Sequence, residues 1–235
     1  MKVSLRRTLA ALVLFGVSFG YVEASIVVYL RTIGEPLRQR FHPGVPASEL
    51  FPLLTWEQVN AANLQSLLTT ELARELATLL LLAAAGLLVS RQPGECLAAF
   101  LIAFGVWDIA FYVFLKALID WPASLLTWDL LFLIPVPWSG PVLAPVFVAL
   151  TMIVCGATHL NRPFPLRAPD WVGFALGGVI LTAAFCWDWR NLASGGLPNP
   201  FPWWLFTLGE TVAVTAFAAS RLRSQSGSRA PQEPG

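Results

Sequence analysis

Residues 96–115 read CLAAFLIAFGVWDIAFYVFL, twenty residues with a single charge, Asp108, just past the middle. A helix needs about 20 predominantly apolar residues to cross the hydrocarbon core of a bilayer. The stretch therefore reads as a transmembrane helix with a carboxylate inside it. The whole chain has the same character: of 235 residues 56% are hydrophobic and 12% charged, and the mean hydropathy is +0.65. Soluble domains carry about 25% charged residues, so half the charge needed to coat a water-facing surface is missing. DNA-binding and cytosolic catalytic functions are set aside on that ground. With a net charge of +1 there is no large field to attract nucleic acid.

Working outward from 96–115, six further apolar segments follow the same rule: Thr8–Leu30, Thr70–Ser90, Ala123–Pro137, Pro141–His159, Trp171–Trp187 and Trp203–Ser220. The expected fold is an all-α polytopic helical membrane bundle of about seven transmembrane helices, one membrane domain over residues 1–220. The segment Ala123–Pro137 is short and carries Pro135 and Pro137, and proline inside a helix removes a donor and clashes with the preceding turn. It forms with Pro141–His159 either two spans or a re-entrant hairpin, the latter tolerable only where protein or a wet cavity covers the broken backbone. The first segment has a second reading as a signal peptide, with Lys2, Arg6 and Arg7 ahead of the apolar run and a small-residue site at Val22-Glu23-Ala24. Against that, the apolar run resumes at Ser25 and continues to Leu30.

Residues 31–69 form the longest connection, broken by Pro36, Pro43, Pro46 and Pro52. Thr55 followed by Gln58 resembles a capping box, which places an interfacial helix over Trp56–Thr69, a brace or a lid above a site. Residues 221–235 have no apolar face and read as a disordered tail. Seven spans put the two ends on opposite sides. Lys2, Arg6, Arg7, Arg91 and Arg190 then lie on one side and nine basic residues on the other, with Arg74 inside the second span. This favours a cytoplasmic C-terminus, although the compact basic N-terminal tail argues the opposite.

Missing residues exclude several chemistries. Cys96, Cys155 and Cys186 contain no Cys-x-x-Cys pair, so a thiol-disulfide relay is excluded. The only lysines, Lys2 and Lys116, do not provide a retinal Schiff base in the last span. His42 and His159 are ill-placed for bis-histidine haem ligation. No Gly-x-Ser-x-Gly, His-Glu-x-x-His or phosphate-binding Gly-rich loop occurs. Cofactor and metal are left open.

What remains is a set of ionisable residues inside spans, where they are expensive and usually functional. Glu23, Asp108 and Asp129 each fall about 10 Å below the face that carries the long connection, and Glu75 about 7 Å below it. Glu210 lies about 15 Å down and His159 at the boundary on the same side. Arg74 is spaced to pair with Glu71, and Lys116 to bend toward Asp108 on a face shared with Tyr112, which leaves Glu23, Asp129 and Glu210 uncovered. Glu23, Glu75, Asp108, Tyr112, Asp129 and Glu210 are thus candidates to bind a proton, a cation or a substrate. The structural alternative is a polar network satisfied by Thr, Tyr and Trp donors between helices. Four prolines between Pro135 and Pro145 add a broken backbone of the sort transporters use to hold ions and solutes.

The strings Val22-Glu23 through Arg31, Trp107-Asp108-Ile109 through Lys116, and Thr127 through Pro145 resemble those of a family of uncharacterised bacterial multi-pass proteins of this size. That resemblance implies a bacterial inner-membrane protein and no particular activity. Over a few residues, the Trp-acidic-Ile-x-x-Tyr pattern at Trp107–Tyr112 is similar to small seven-span terpene cyclases, which protonate an isoprenoid with membrane carboxylic acids. Three functions are consistent with these residues. The first is proton- or cation-coupled transport of a small solute. The second is an integral-membrane enzyme acting on a lipid or isoprenoid by carboxylate acid/base chemistry. The third is a non-catalytic subunit of a membrane complex. Its partners are the lipid bilayer and a small solute, cation or lipid, with no nucleic acid and an open oligomeric state.

Overall fold

A computed structural model describes residues 4–46 and 49–227. The first helix, α1, spans Leu5–Phe41, 37 residues or about 55 Å, well beyond the roughly 30 Å hydrocarbon core. It therefore runs through residues 31–41, which the sequence reading assigns to a loop. The extension is held by Glu35, which accepts from Arg38 at 2.8 Å and from Gln39 at 3.0 Å. Arg38 also donates to the carbonyls of Val45 and Pro46, folding the chain back as the helix ends. The capping box at Thr55 is present, with Thr55 N donating to Gln58 Oε1 at 2.9 Å and Gln58 N to Thr55 Oγ1 at 3.3 Å. The helix it starts, α2 (Trp56–Ala61), is shorter than expected. Asn63 turns left-handed at φ 54°, and α3 (Gln65–Val89) begins just beyond, so Gln65–Thr69 is the first turn of a long helix.

Next comes α4 (Pro93–Ile119), started by Pro93 in its first turn and stopped by Asp120 in the left-handed region. The fold is mostly helical, as expected, but the count of seven helical spans is not met, because the fourth apolar segment is not a helix. It forms an antiparallel pair, β1 (Trp128–Phe132) and β2 (Trp138–Pro141), with Trp128 opposite Pro141 and Phe132 opposite Trp138. Pro135 and Pro137 occupy the turn, where their missing donors cost no ladder bond. The hairpin dips beside Trp107 and Tyr112 of α4 and leaves on the side where it began. The re-entrant element is thus this segment alone, because α5 (Leu143–Asn161) is a complete helix. Two more long helices follow: α6 (Ala168–Phe185), and α8 (Trp203–Gly227) after the short α7 (Trp189–Ala193).

Small residues set how these helices pack, since only they let backbones approach closely in a membrane. A Cβ on Gly105 would lie 2.5 Å from the Ala149 carbonyl, and one on Gly156 2.5 Å from that of Ala98, so α5 runs antiparallel to α4. In the same way Gly16 and Gly20 seat α1 parallel to α4 against Val106 and Ala110, and Gly86 seats α3 antiparallel against Cys96 and Phe100. The last pair, α6 and α8, is antiparallel through Gly173, Gly177 and Gly209. Leu12, Leu82, Ile102 and Trp107 fill the core between α1, α3 and α4. Ala144, Phe185, Phe201 and Phe206 fill a second core at the hairpin end of α5, α6 and α8.

Five helices, α1, α3, α4, α5 and α6, are long and apolar enough to cross a membrane. Their outer faces expose Leu80, Leu87, Leu88, Val154 and Val179, as a lipid-facing surface would. Because the hairpin re-enters, α5 descends where seven spans require it to ascend. The six long helices therefore alternate so that Leu5 and Gly227 lie at the same end of the bundle, together with His159, which packs beside Gly94. This corrects both the opposite-ended arrangement and the side expected for His159. Residues 221–227 continue α8, with Arg223 paired to Asp170 of α6, and the remainder of the expected tail lies outside the described residues. At the other end, Asp188 accepts from Asn199 N and Asn199 Nδ2 at 2.8 Å each and from Asn191 Nδ2 at 3.0 Å. Burial opposes its charge, but these donors hold its carboxyl below the usual aspartate range.

Candidate functional site

The structure sorts the in-span carboxylates by what stands opposite them. Glu23 on α1 and Arg74 on α3 form a direct ion pair. Arg74 also grips Glu71 with two N–H groups, at 2.9 and 2.5 Å. Thr78 donates to the second oxygen of Glu23 at 3.3 Å. Arg74 thus covers Glu23, contrary to the sequence reading. An arginine's planar fork suits this double task. Two carboxylates, one guanidinium and one hydroxyl form a network that ties α1 to α3.

Glu75 and Asp129 fasten the hairpin. Both oxygens of Glu75 accept from Leu133 N at the hairpin turn, at 2.8 and 3.0 Å, giving a partner to a backbone donor that lipid would leave unpaired. Asp129 accepts from the Tyr112 hydroxyl at 2.7 Å and from Leu130 N at 2.9 Å. Close by, the Arg31 guanidinium sits 4.4 Å over the Trp121 ring, and that ring in turn neighbours Tyr112. Lys116 does not approach Asp108: it turns outward to Asp120, 2.7 Å away.

Asp108 and Glu210 differ from all of these. Each is 6% exposed, and each keeps one buried oxygen, Oδ2 and Oε2 respectively, without a hydrogen-bond partner among the described residues. Both line one partly open cavity of about 360 Å³ bordered by α4, α5, α6, α8 and the hairpin. At one end it is bounded by Asp108, Phe132 and Trp138, and at the other by Gly94, His159 and Phe217. Along α4 that is fourteen residues, or about 21 Å. Glu210 lies by Thr151 and Cys155 of α5. The Ala149–Gly105 contact puts this level about 8 Å further along the cavity than Asp108. An orphaned carboxylate oxygen in an apolar cavity is costly unless a proton or a ligand completes it.

Sequence reasoning did not assign Thr151, Cys155 or a facing role for His159. Their signal was present: positions i, i+4 and i+8 put three polar groups in one stripe of an otherwise apolar helix. Among the described residues no group of three or more His, Cys, Asp or Glu is arranged to hold a metal ion. Comparison with known proteins gave no matching family model, curated protein or solved structure.

Proposed function

We propose that this protein is a multi-pass carrier that holds a small, largely apolar solute in the α4–α8 cavity and couples its movement to protons on Asp108 and Glu210. The observation that carries this reading is the pair of buried carboxylates, each with one unpartnered oxygen, that line one cavity from two different helix pairs. Glu23, Glu75, Asp129 and Tyr112, candidates by sequence, act as supports that fix α1, α3 and the hairpin. In this reading α8 is the sixth span, and both ends face the cytoplasm of a bacterial inner membrane. Arg6, Arg7, Arg91, Arg162, Arg167, Arg221 and Arg223 then lie inside against Arg31, Arg38, Arg40, Lys116 and Arg190 outside. That arrangement satisfies the positive-inside rule and agrees with the basic N-terminal tail.

The test uses proteoliposomes with a trapped pH dye, an imposed pH gradient and a panel of amphipathic solutes. Solute-dependent collapse of the gradient is expected, and D108N and E210Q should abolish it while eluting normally on size exclusion. Collapse that persists in both variants, or no response to any solute, overturns the reading. The apolar, aromatic lining favours one second reading, an enzyme that uses Asp108 as general acid on a lipid or isoprenoid. New products in lipid extracts of expressing cells, absent with D108N, would select it.

A further inference from the structure

The chemistry of the cavity wall narrows the occupant, given the carrier reading above. Two carboxylates line the cavity, and among the described residues lining it there is no Lys or Arg. A phosphate, diphosphate or carboxylate headgroup would meet like charge at Asp108 and Glu210 and no bidentate cation. The one basic group on the wall, His159, sits at the Gly94 end, about 21 Å along α4 from Asp108, and its protonation on acidification would add to the repulsion of a bound cation. Six aromatic rings, those of Phe104, Phe132, Trp138, Phe174, Phe185 and Phe217, complete the wall. Ring faces attract cations, more strongly where water is excluded. At about 360 Å³ the volume falls within the roughly 300–1,000 Å³ of small-molecule sites.

We infer that the cavity takes a lipophilic monocation, its apolar groups against the aromatic wall and its charge between Asp108 and Glu210. Charge balance then links solute to proton. One positive charge from the ligand and one proton neutralise the two carboxylates, and without the ligand a second proton takes its place. Binding therefore weakens on acidification, because protons compete for the same oxygens.

Equilibrium dialysis of the purified full chain in nanodiscs tests this with three probes of similar shape: tetraphenylphosphonium, neutral triphenylphosphine oxide and tetraphenylborate. Saturable binding of the phosphonium is expected, weakened roughly tenfold or more in the D108N/E210Q double variant. Borate should not bind saturably. G178F supplies a variant that does not touch the carboxylates: Gly178 lines the cavity and nothing stands within 4 Å of a Cβ there, so a ring at this position is expected to narrow the cavity and block the phosphonium. If the double variant elutes abnormally, G178F and single E210Q decide the matter. Neutral oxide binding as tightly as the phosphonium, blocked by G178F but indifferent to D108N/E210Q, overturns the cation assignment and leaves the carrier reading standing. No saturable binding of any probe also overturns the assignment, and the gradient assay then judges the carrier reading separately.

Discussion

The α1–α3 face and the α4–α8 cavity both bury carboxylates within the span region, and they differ in what faces them. At Glu23 an arginine and a threonine complete every oxygen, whereas at Asp108 and Glu210 an oxygen of each is left over. The presence of a buried acid is therefore not the functional signal. A buried pair that neutralises itself is architecture, and removing one partner exposes the full desolvation cost of the other. An acid that lines a cavity with one oxygen left over lacks that compensation and is destabilising; under the proposed carrier reading that cost is retained for function.

The sharpest way to break the contrast is R74A. It strands Glu23 beside Glu71, and a loss of about 3–5 kcal/mol is expected, read as a large fall in the melting temperature of the detergent-solubilised protein. The opposite-side counterpart, D108N, should melt at the wild-type temperature or above it, and a fall as large as that of R74A would erase the distinction. Next comes helix packing. G156A drives a methyl into the Ala98 carbonyl and should cost about 1–3 kcal/mol. G178A, facing open space, should stay within about 0.5 kcal/mol. Y112F removes one of the donors to Asp129 and should cost about 1 kcal/mol, with the hairpin becoming more accessible to protease.

The smallest effect is expected at Asp188, a carboxylate outside the spans. Its lowered folded-state pKa means that its contribution is present above the ordinary aspartate range and fades as pH falls through the folded value. A plot of melting temperature against pH should therefore slope less steeply in the acid range for D188N than for wild type.

Much of this was legible in the sequence because it is local. Hydropathy blocks, the Thr55–Gln58 capping box and the presence of acids inside spans each depend on neighbours within a turn or two. The partner of Glu23 was not legible, because Arg74 is 51 residues away and the face α1 turns to α3 depends on where Gly16 and Gly20 meet α4. The fourth segment misled for a different reason. A short apolar run does not separate strand from helix by periodicity, and Pro135 and Pro137 suit a hairpin turn better than a span. That one substitution of strand for helix reversed α5 and everything after it, moving His159 and the C-terminal helix end to the side of Leu5. The cavity itself was beyond reach, since it exists only where two glycine-packed helix pairs face each other.

The hairpin carries a mechanical consequence. Its turn is fastened to α3 through Glu75 and Leu133 N, while its second strand stacks Trp138 on Phe185 of α6. It thus acts as a connecting rod between the half of the bundle that is locked by Arg74 and the half that borders the cavity. A sideways displacement of α6 would therefore load the hairpin's two attachments, Glu75 of α3 at its turn and Tyr112 of α4 through Asp129 on its first strand.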